Sequence, residues 1–312
     1  MILTVTLNAA LDSTWVIKEF KTNHILRTGE NIPVRMAGGK GINVARTINN
    51  LGEDVLTSGL IGGTTGKFIE EKLNEEGLKN EFIHVKEESR ECLILLDQKN
   101  KTETVINGIG PKISFKEAED FKNFFLKSIT KFKVICLSGS LPPGLPENIY
   151  ADLISMANKK NVPVILDTSA QALIKGIAGK PHMVKPTKYE LEEILNHKIK
   201  SNDDILEAGN CFLDKGAESV IVSMGQEGSI LFTKEYQLKI APLDIKVINS
   251  VGSGDAFVGG FAVATARGSS LLDAVKFGTA TGSANAEVLK AGEVNIERVK
   301  ELSNNVELYP LN

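Results

Sequence analysis

Cysteine is nearly missing from the chain: Cys92, Cys136 and Cys211 are the whole complement, odd in number, widely spaced and without a C-x-x-C pair. That argues against a disulfide framework and against a cysteine zinc site, and a reducing compartment is the natural setting. Histidine is almost as scarce. His24, His84, His182 and His197 are scattered, so each reads as structural or surface, and the single tryptophan, Trp15, reads as a packing residue. An excess of charge of either sign is also lacking. With 36 Lys and Arg against 39 Asp and Glu the net charge is −3, so no global field draws in nucleic acid or an anionic membrane, and any anionic ligand must be held locally. Long apolar runs are absent too. The longest nearly apolar stretch, 256–266, is broken by Gly259 and Gly260 and falls short of the roughly 20 residues a membrane span needs. The N-terminus enters the strand pattern Ile2-Leu3-Thr4-Val5-Thr6-Leu7 with neither a basic n-region nor a small-residue cleavage site, which predicts a cytoplasmic protein.

What is present suits one large core. Over 312 residues, 42% hydrophobic and 24% charged composition fits a globular chain forming one domain, 1–312, with at most a small appendage. Short β-branched runs at 134–137, 162–166 and 220–222 alternate with stretches of helical period such as Phe68/Ile69/Leu73, Ile149/Leu153/Ile154 and Ile205/Ala208/Phe212. Continuous apolar strands separated by helices predict a mainly parallel sheet buried on both faces, a doubly wound α/β sandwich. Two segments break the rhythm, 14–35 and 91–107. In the second, 93–96 and 102–106 read as strands around the turn Gln98-Lys99-Asn100. Strands without crossover helices cannot easily join a parallel sheet, so these segments predict a small separate sheet acting as a lid. The acid-rich stretch 70–76 reads as a solvated helix face.

The run Asn249-Ser250-Val251-Gly252-Ser253-Gly254-Asp255-Ala256-Phe257-Val258-Gly259-Gly260 follows the strand-like Ile245-Lys246-Val247-Ile248 and opens a helix reaching to about Ala266. Backbone N–H groups at a helix N-terminus are unpartnered and carry the positive end of the dipole, which suits a phosphate or a developing anion. The same residues also serve as plain turn formers, with Asp255 as a stabilising acid of the first turn. Ala37-Gly38-Gly39-Lys40-Gly41-Ile42-Asn43-Val44-Ala45 makes a second such turn, adding an ammonium and an amide. It reads either as a tight loop with a solvated Lys or as a ligand cradle in which Asn43 meets hydroxyls and Lys40 a charge. Gly62 to Lys67 has the wrong spacing for a P-loop, and no G-x-G-x-x-G occurs.

Taken together, the segments at 37–45 and 251–260 resemble the two signature regions of the ribokinase-like, PfkB family of carbohydrate kinases. Further features of that family appear in the same order: Leu7-Asn8 with Asp12, Arg90, Ser138-Gly139-Ser140-Leu141-Pro142-Pro143-Gly144, Lys185-Pro186-Thr187 with Glu190, and Ser223-Met224-Gly225-Gln226-Glu227-Gly228. The similarity spans nearly the whole chain and points toward the 1-phosphofructokinase and tagatose-6-phosphate kinase branch. Two positions depart from it. Ala9 stands where the branch usually has Pro, and Thr187 where it usually has Asn, keeping a hydroxyl but losing an amide.

The resemblance implies an ATP-dependent kinase with Asp255 as the catalytic base and the Gly252, Ser253 and Gly254 amides as an anion hole. It implies sugar contacts from Asp12, Gly38, Gly39 and Asn43, with the Ser138 loop facing the crevice. A phosphate clamp from Arg27, Arg90 and Lys40 follows, as do nucleotide contacts from Lys185, Thr187, Ser223, Gly225, Gly228 and the helix around Asn285. Mg²⁺ would be organised through water by Glu190. The expected acceptor is D-fructose 1-phosphate, with tagatose 6-phosphate as the alternative and a non-catalytic sensor of sugar phosphate or nucleotide as the reading of another class. Phosphoryl transfer asks for positioning and charge stabilisation, so amide dipoles, a Lys, a metal and one carboxylate suffice without a reactive Cys or His. Asp255 is expected to be ionised at neutral pH. An exposed lid edge could be covered by a twin subunit.

Overall fold

The computed structural model describes residues 1–28, 32–195, 197–199 and 201–311. Its strands are β1 (Ile2–Thr6), β2 (Ala10–Ile17), β3 (Val34–Gly38), β4 (Val55–Gly62), β5 (Asn80–Val85), β6 (Arg90–Asp97) and β7 (Thr102–Asn107), followed by β8 (Val134–Ser138), β9 (Val164–Asp167), β10 (Met183–Val184), β11 (Val220–Ser223), β12 (Ser229–Phe232), β13 (Gln237–Ile240) and β14 (Leu308–Pro310). One sheet runs in the order β14-β13-β12-β11-β10-β9-β8-β1-β4-β5, parallel from β11 to β5 and antiparallel through β12 to β14. The chain winds outward from β1 in one direction through β4 and β5, and from β8 in the other through β9, β10 and β11. Strand order therefore reverses between β1 and β8. In open α/β sheets a crevice for ligands opens at that point, outside the carboxyl ends of the strands.

The central strands are apolar on both faces because both faces are covered. Side chains alternate along a strand, so Ile2, Val134, Cys136, Ile165 and Ile221 pack into one core with the helices Lys40–Asn50, Ser253–Ala266, Leu271–Ala286 and Ile296–Ser303. Their neighbours Leu3, Ile135, Leu137, Val164, Leu166, Val220 and Val222 pack into the other, with the helices Phe115–Ser128, Ile149–Asn158 and Asn202–Asp214. The helix Gly63–Glu75 carries the Phe68/Ile69/Leu73 period. The expected mainly parallel, doubly wound architecture is thus present. The run 245–248 is not a strand. No neighbouring strand meets it, and the Ile248 and Asn249 N–H groups donate instead to Ala286 O at the end of the helix Leu271–Ala286.

A separate four-stranded sheet, ordered β3-β2-β6-β7, forms the small second layer. β2 pairs parallel with β6, from Ala10 opposite Arg90 to Ile17 opposite Asp97, and antiparallel with β3. Its first two strands, β2 and β3, begin at Ala10 and end at Gly38, beyond the limits 14–35 read from the rhythm break. Among the described residues no strand lies between Ile17 and Val34. The part of that segment at 29–31 lies outside the described residues. The β6–β7 turn is held by Asp97, whose carboxylate accepts from the backbone N–H of Lys99, Asn100 and Phe20 at 2.8 to 3.0 Å. These donors, Asn100 foremost, pull the Asp97 carboxyl down to about 2. The sheet is rooted where β1 ends: Arg90 Nε donates to Asn8 O at 3.0 Å, and Asn8 Nδ2 reaches Ile109 O at 3.1 Å and Ser140 Oγ at 3.3 Å. Among the described residues no helix is long and apolar enough to cross a membrane.

Candidate active site

Two glycine-opened helices converge over the switch point. The helices Phe115–Ser128 and Asn202–Asp214 begin with serine capping boxes that occupy their first N–H groups. The helices Lys40–Asn50 and Ser253–Ala266 begin at Gly39 and Gly252 and have no side-chain cap, although backbone turns take up one early N–H group in each, Ile42 N donating to Gly39 O at 3.0 Å and Ser253 N to Ser250 O at 3.2 Å. Both glycines hold positive φ, +115° and +82°, a region that side chains resist. At Gly252 a Cβ would also stand 2.6 Å from Ala291 Cβ.

Asp255 sits in the first turn of the second helix and is only 7% exposed. Asn43 Nδ2, from the other helix, donates to its Oδ2 at 2.8 Å. Burial, and next the negative charge of Asp167, push the Asp255 carboxyl up to about 6, while Lys40, Asn43 and Lys185 oppose them. A carboxyl raised in this way is a stronger base than a free carboxylate.

Asp167, at the carboxyl end of β9, was not singled out from the sequence. It is 1% exposed, and its Oδ1 lies 3.3 Å from Lys40 Nζ and 3.6 Å from Lys185 Nζ. Burial pushes its carboxyl up, but the Lys185 and Lys40 ammoniums outweigh burial and hold it below the ordinary range. In return Asp167 raises the pKa of Lys40, against the cost of burial, with Asp255 and Glu190 adding to the effect. A signal existed: an acid closing an apolar strand of a parallel sheet lies on the crevice side. Its second oxygen, Oδ2, is buried without a partner among the described residues, as are Ser138 Oγ at the end of β8 and Ser253 Oγ two positions before Asp255. Buried acceptors and hydroxyls left open at one place are groups a ligand can satisfy.

On the lid side, Asp12 lies beside Gly38, where an added Cβ would fall on its carboxylate, so only glycine leaves that carboxylate room. Burial raises the Asp12 carboxyl against the pull of Arg90 and Arg46. Arg90 spends Nε on Asn8 O and reaches Gly108 O at 3.4 Å through Nη1, leaving its remaining N–H groups for another acceptor. Arg27 is exposed, and among the described residues no ion pair or hydrogen bond ties it to this group.

A cleft of about 1080 Å³ opens beside Ser253 and Gly254. Lys185, Thr187, Ser223, Gly225, Gly228, Ser253 and Gly254 line it, with Met224, Ile245, Val247 and Phe257 as apolar walls. Gly254 faces Lys185, whose ammonium would stand 3.1 Å from a Cβ there. Asn285 stands near the end of the helix Leu271–Ala286. It is buried and donates through Nδ2 to Lys290 O at 3.1 Å and Glu293 O at 3.0 Å, bracing the following loop, while Thr279, Gly282, Ser283 and Ala286 of its helix line the cleft. Thr187 and Glu190 hold each other at the start of the helix Lys188–Leu195: Glu190 Oε2 accepts from Thr187 N at 2.8 Å, and Glu190 N donates to Thr187 Oγ1 at 3.1 Å. That occupies one carboxylate oxygen of Glu190. Among the described residues no cluster of three or more His, Cys, Asp and Glu could hold a metal by itself.

The acidic stretch 70–76 is not wholly solvated. Glu76 pairs with buried Arg46 at 2.6 Å, which a pattern of surface acids does not reveal.

Residues 28–298 match the pfkB family of carbohydrate kinases. The chain is 34% identical over 99% of its length to a tagatose-6-phosphate kinase of Staphylococcus epidermidis, 99% of which is covered. Phosphofructokinase-2 of Escherichia coli in complex with fructose-6-phosphate is similar with a TM-score of 0.86 and 28% identity, over 97% of this chain and 98% of that one. A Thermotoga maritima protein described as a possible 1-phosphofructokinase gives a TM-score of 0.87 at 28% identity over 100% of both chains.

Proposed function

The chain belongs to the pfkB family of carbohydrate kinases, and on that premise we propose that it transfers the γ-phosphoryl group of ATP to a ketose phosphate, D-fructose 1-phosphate first. One observation carries the reading: a buried carboxyl group, Asp255, stands in the first turn of a helix without a side-chain cap, between the lid-rooted polar groups and a cleft of nucleotide size. Asp255 accepts the proton of the attacking hydroxyl as the Gly252, Ser253 and Gly254 amides receive the transferring phosphoryl group. Lys185 and Lys40, held on Asp167, supply positive charge to the phosphates. Asp12, Gly38, Gly39, Asn43 and Ser138 orient the sugar, and Arg90 takes the phosphate it already carries. Mg²⁺ would supply positive charge to the phosphates, and Glu190 would hold it through water. Glu190 retains one carboxylate oxygen without a hydrogen bond among the described residues, which fits a water of a hydrated ion better than direct ligation.

Tagatose 6-phosphate is the second reading, favoured by the 34% identity to a kinase of that name. Both acceptors are furanoses with a phosphate at one exocyclic carbon and a free hydroxymethyl at the other, so one clamp and one base suit either. The deciding measurement is ADP release with fructose 1-phosphate, fructose 6-phosphate, tagatose 6-phosphate and unphosphorylated ketoses. Turnover should be confined to phosphorylated ketoses and be highest with fructose 1-phosphate. Arg90→Ala should raise KM for the sugar phosphate by roughly 10- to 100-fold, the value of a charge-assisted bond, with KM for ATP unchanged. Absence of turnover with every acceptor would leave the sensor reading in place.

The lid carries exposed Val34, Val105 and Ile106 on strands with open edges, and a second copy of the chain is the proposed cover. Sedimentation at micromolar concentration should give a dimer, and a monomer there would rule the lid out as a stable interface.

A further inference from the structure

Behind the catalytic groups lies a buried cation that the reaction itself does not touch. Arg46 is one turn beyond Asn43 on the helix Lys40–Asn50 and is 5% exposed. Its guanidinium forks onto Glu76, Nε at 2.6 Å and Nη2 at 3.1 Å, while Nη2 also donates to Ala37 O at 2.6 Å, next to the end of β3. The remaining nitrogen, Nη1, donates to Asn43 Oδ1 at 3.0 Å. A guanidinium has only donors, so the face of the Asn43 amide turned to Arg46 must be its oxygen. The NH₂ group then faces the other way and meets Asp255 Oδ2 at 2.8 Å.

We infer that Arg46 is a positioning residue: by fixing the polarity of the Asn43 amide it makes Asn43 donate to the Asp255 carboxylate rather than present an oxygen to it. Were the amide reversed, two oxygens would face each other, an arrangement stable only when Asp255 carries a proton. Losing that proton is what the base must have done before it can accept another, so amide polarity and readiness of the base are linked. The other groups acting on Asp255 are Asp167 on β9, Lys40 at the start of the helix Lys40–Asn50 and Lys185 after β10. None of them touches the Asn43 amide among the described residues. Glu76 holds Arg46 from behind and is itself approached by Lys290 at 3.8 Å.

The inference rests on Asp255 acting as the base, so its test separates the two. Arg46→Met is made alone and with Glu76→Leu, since the single change strands a partly buried acid and the double change leaves an apolar pair. The acid limb of kcat/KM should move up by roughly one pH unit in either variant, with rates recovering to within a few-fold above the limb, and Arg46→Lys should restore part of the shift. Independently of turnover, the ¹⁵N resonance of the Asn43 side-chain amide should titrate with Asp255, its midpoint rising equally in the variants. A rate lowered evenly at all pH values, with an unmoved amide midpoint, would reduce Arg46 to a structural ion pair. If the wild type turns over none of the ketose phosphates, the kinase reading fails while the amide titration still decides the role of Arg46.

Discussion

Asp255→Asn should lose at least roughly a hundredfold in kcat while keeping its fold and its affinity for ATP, because positioned base catalysis contributes about 10² to 10⁴ in rate. The substitution keeps the size of the side chain but removes the carboxylate proposed to take the hydroxyl proton. Stability should not fall. The Asp255 carboxyl is raised to about 6 in the folded chain, so its contribution to stability is fully present below the ordinary carboxylate pKa and is lost as pH rises through about 6. At neutral pH the charge is therefore a cost to the fold, and the neutral amide should melt at or above the wild-type temperature. Saturating ATP should still raise that temperature by mass action. In the wild type, kcat/KM should fall as pH drops through about 6, as the base takes up its proton. A mutant with near-normal kcat, or one destabilised at neutral pH by loss of a first-turn acid, would overturn this mechanism.

The sequence carried the architecture well because its central strands are buried on both faces. Apolar runs at 134–137 and 220–222 can be nothing but covered strands, and the interposed helical periods supply the cover. It carried the two glycine turns for a similar reason: Gly39 and Gly252 need positive φ, and no other residue type meets that need cheaply. The run 245–248 misled because β-branched residues line a cleft as readily as they build a sheet, and only a neighbouring strand distinguishes the two. The lid reached further at both ends than the rhythm break suggested, since Ala10, Ala37 and Gly38 are small, buried and without period.

What stayed illegible was pairing across distance. Asp167 and Lys185 are 18 positions apart by their numbers, and Glu76 lies 30 residues from Arg46. The position of Asp167 at the end of an apolar strand hints at the crevice, but nothing local marks the partners of either acid, because the charge that makes burial tolerable comes from another element. The same holds for Asn285. An amide on a helix facing a cleft reads as a ligand contact, yet the Asn285 NH₂ group is taken by the carbonyls of Lys290 and Glu293.

Asp167→Ala should be the most damaging single change to stability. Asp167 and Lys185 are 1% and 4% exposed, so removing the carboxylate strands a buried ammonium and leaves Lys40 without its nearest partner. Breaking a buried pair in this way costs about 3 to 5 kcal/mol, or a melting temperature lower by roughly 5 to 8 °C at neutral pH for a chain of 312 residues. The sign of the pH dependence follows from the lowered carboxyl. A depressed acid stabilises the fold above its unfolded pKa, and that stabilisation is lost as pH falls through the folded value. The gap between wild type and mutant should accordingly narrow below pH 4, as the wild type loses the same charge. Asp167 also raises Asp255, so the milder Asp167→Asn, where it turns over, should show its acid limb below pH 6. ATP phosphates can take the place of the lost carboxylate beside the two ammoniums, so the ATP-induced rise in melting temperature should be at least as large in Asp167→Ala as in the wild type. An unchanged melting temperature together with an unmoved acid limb would mean that the lysines do not depend on Asp167, and that the charge arrangement around Asp255 is held by other groups.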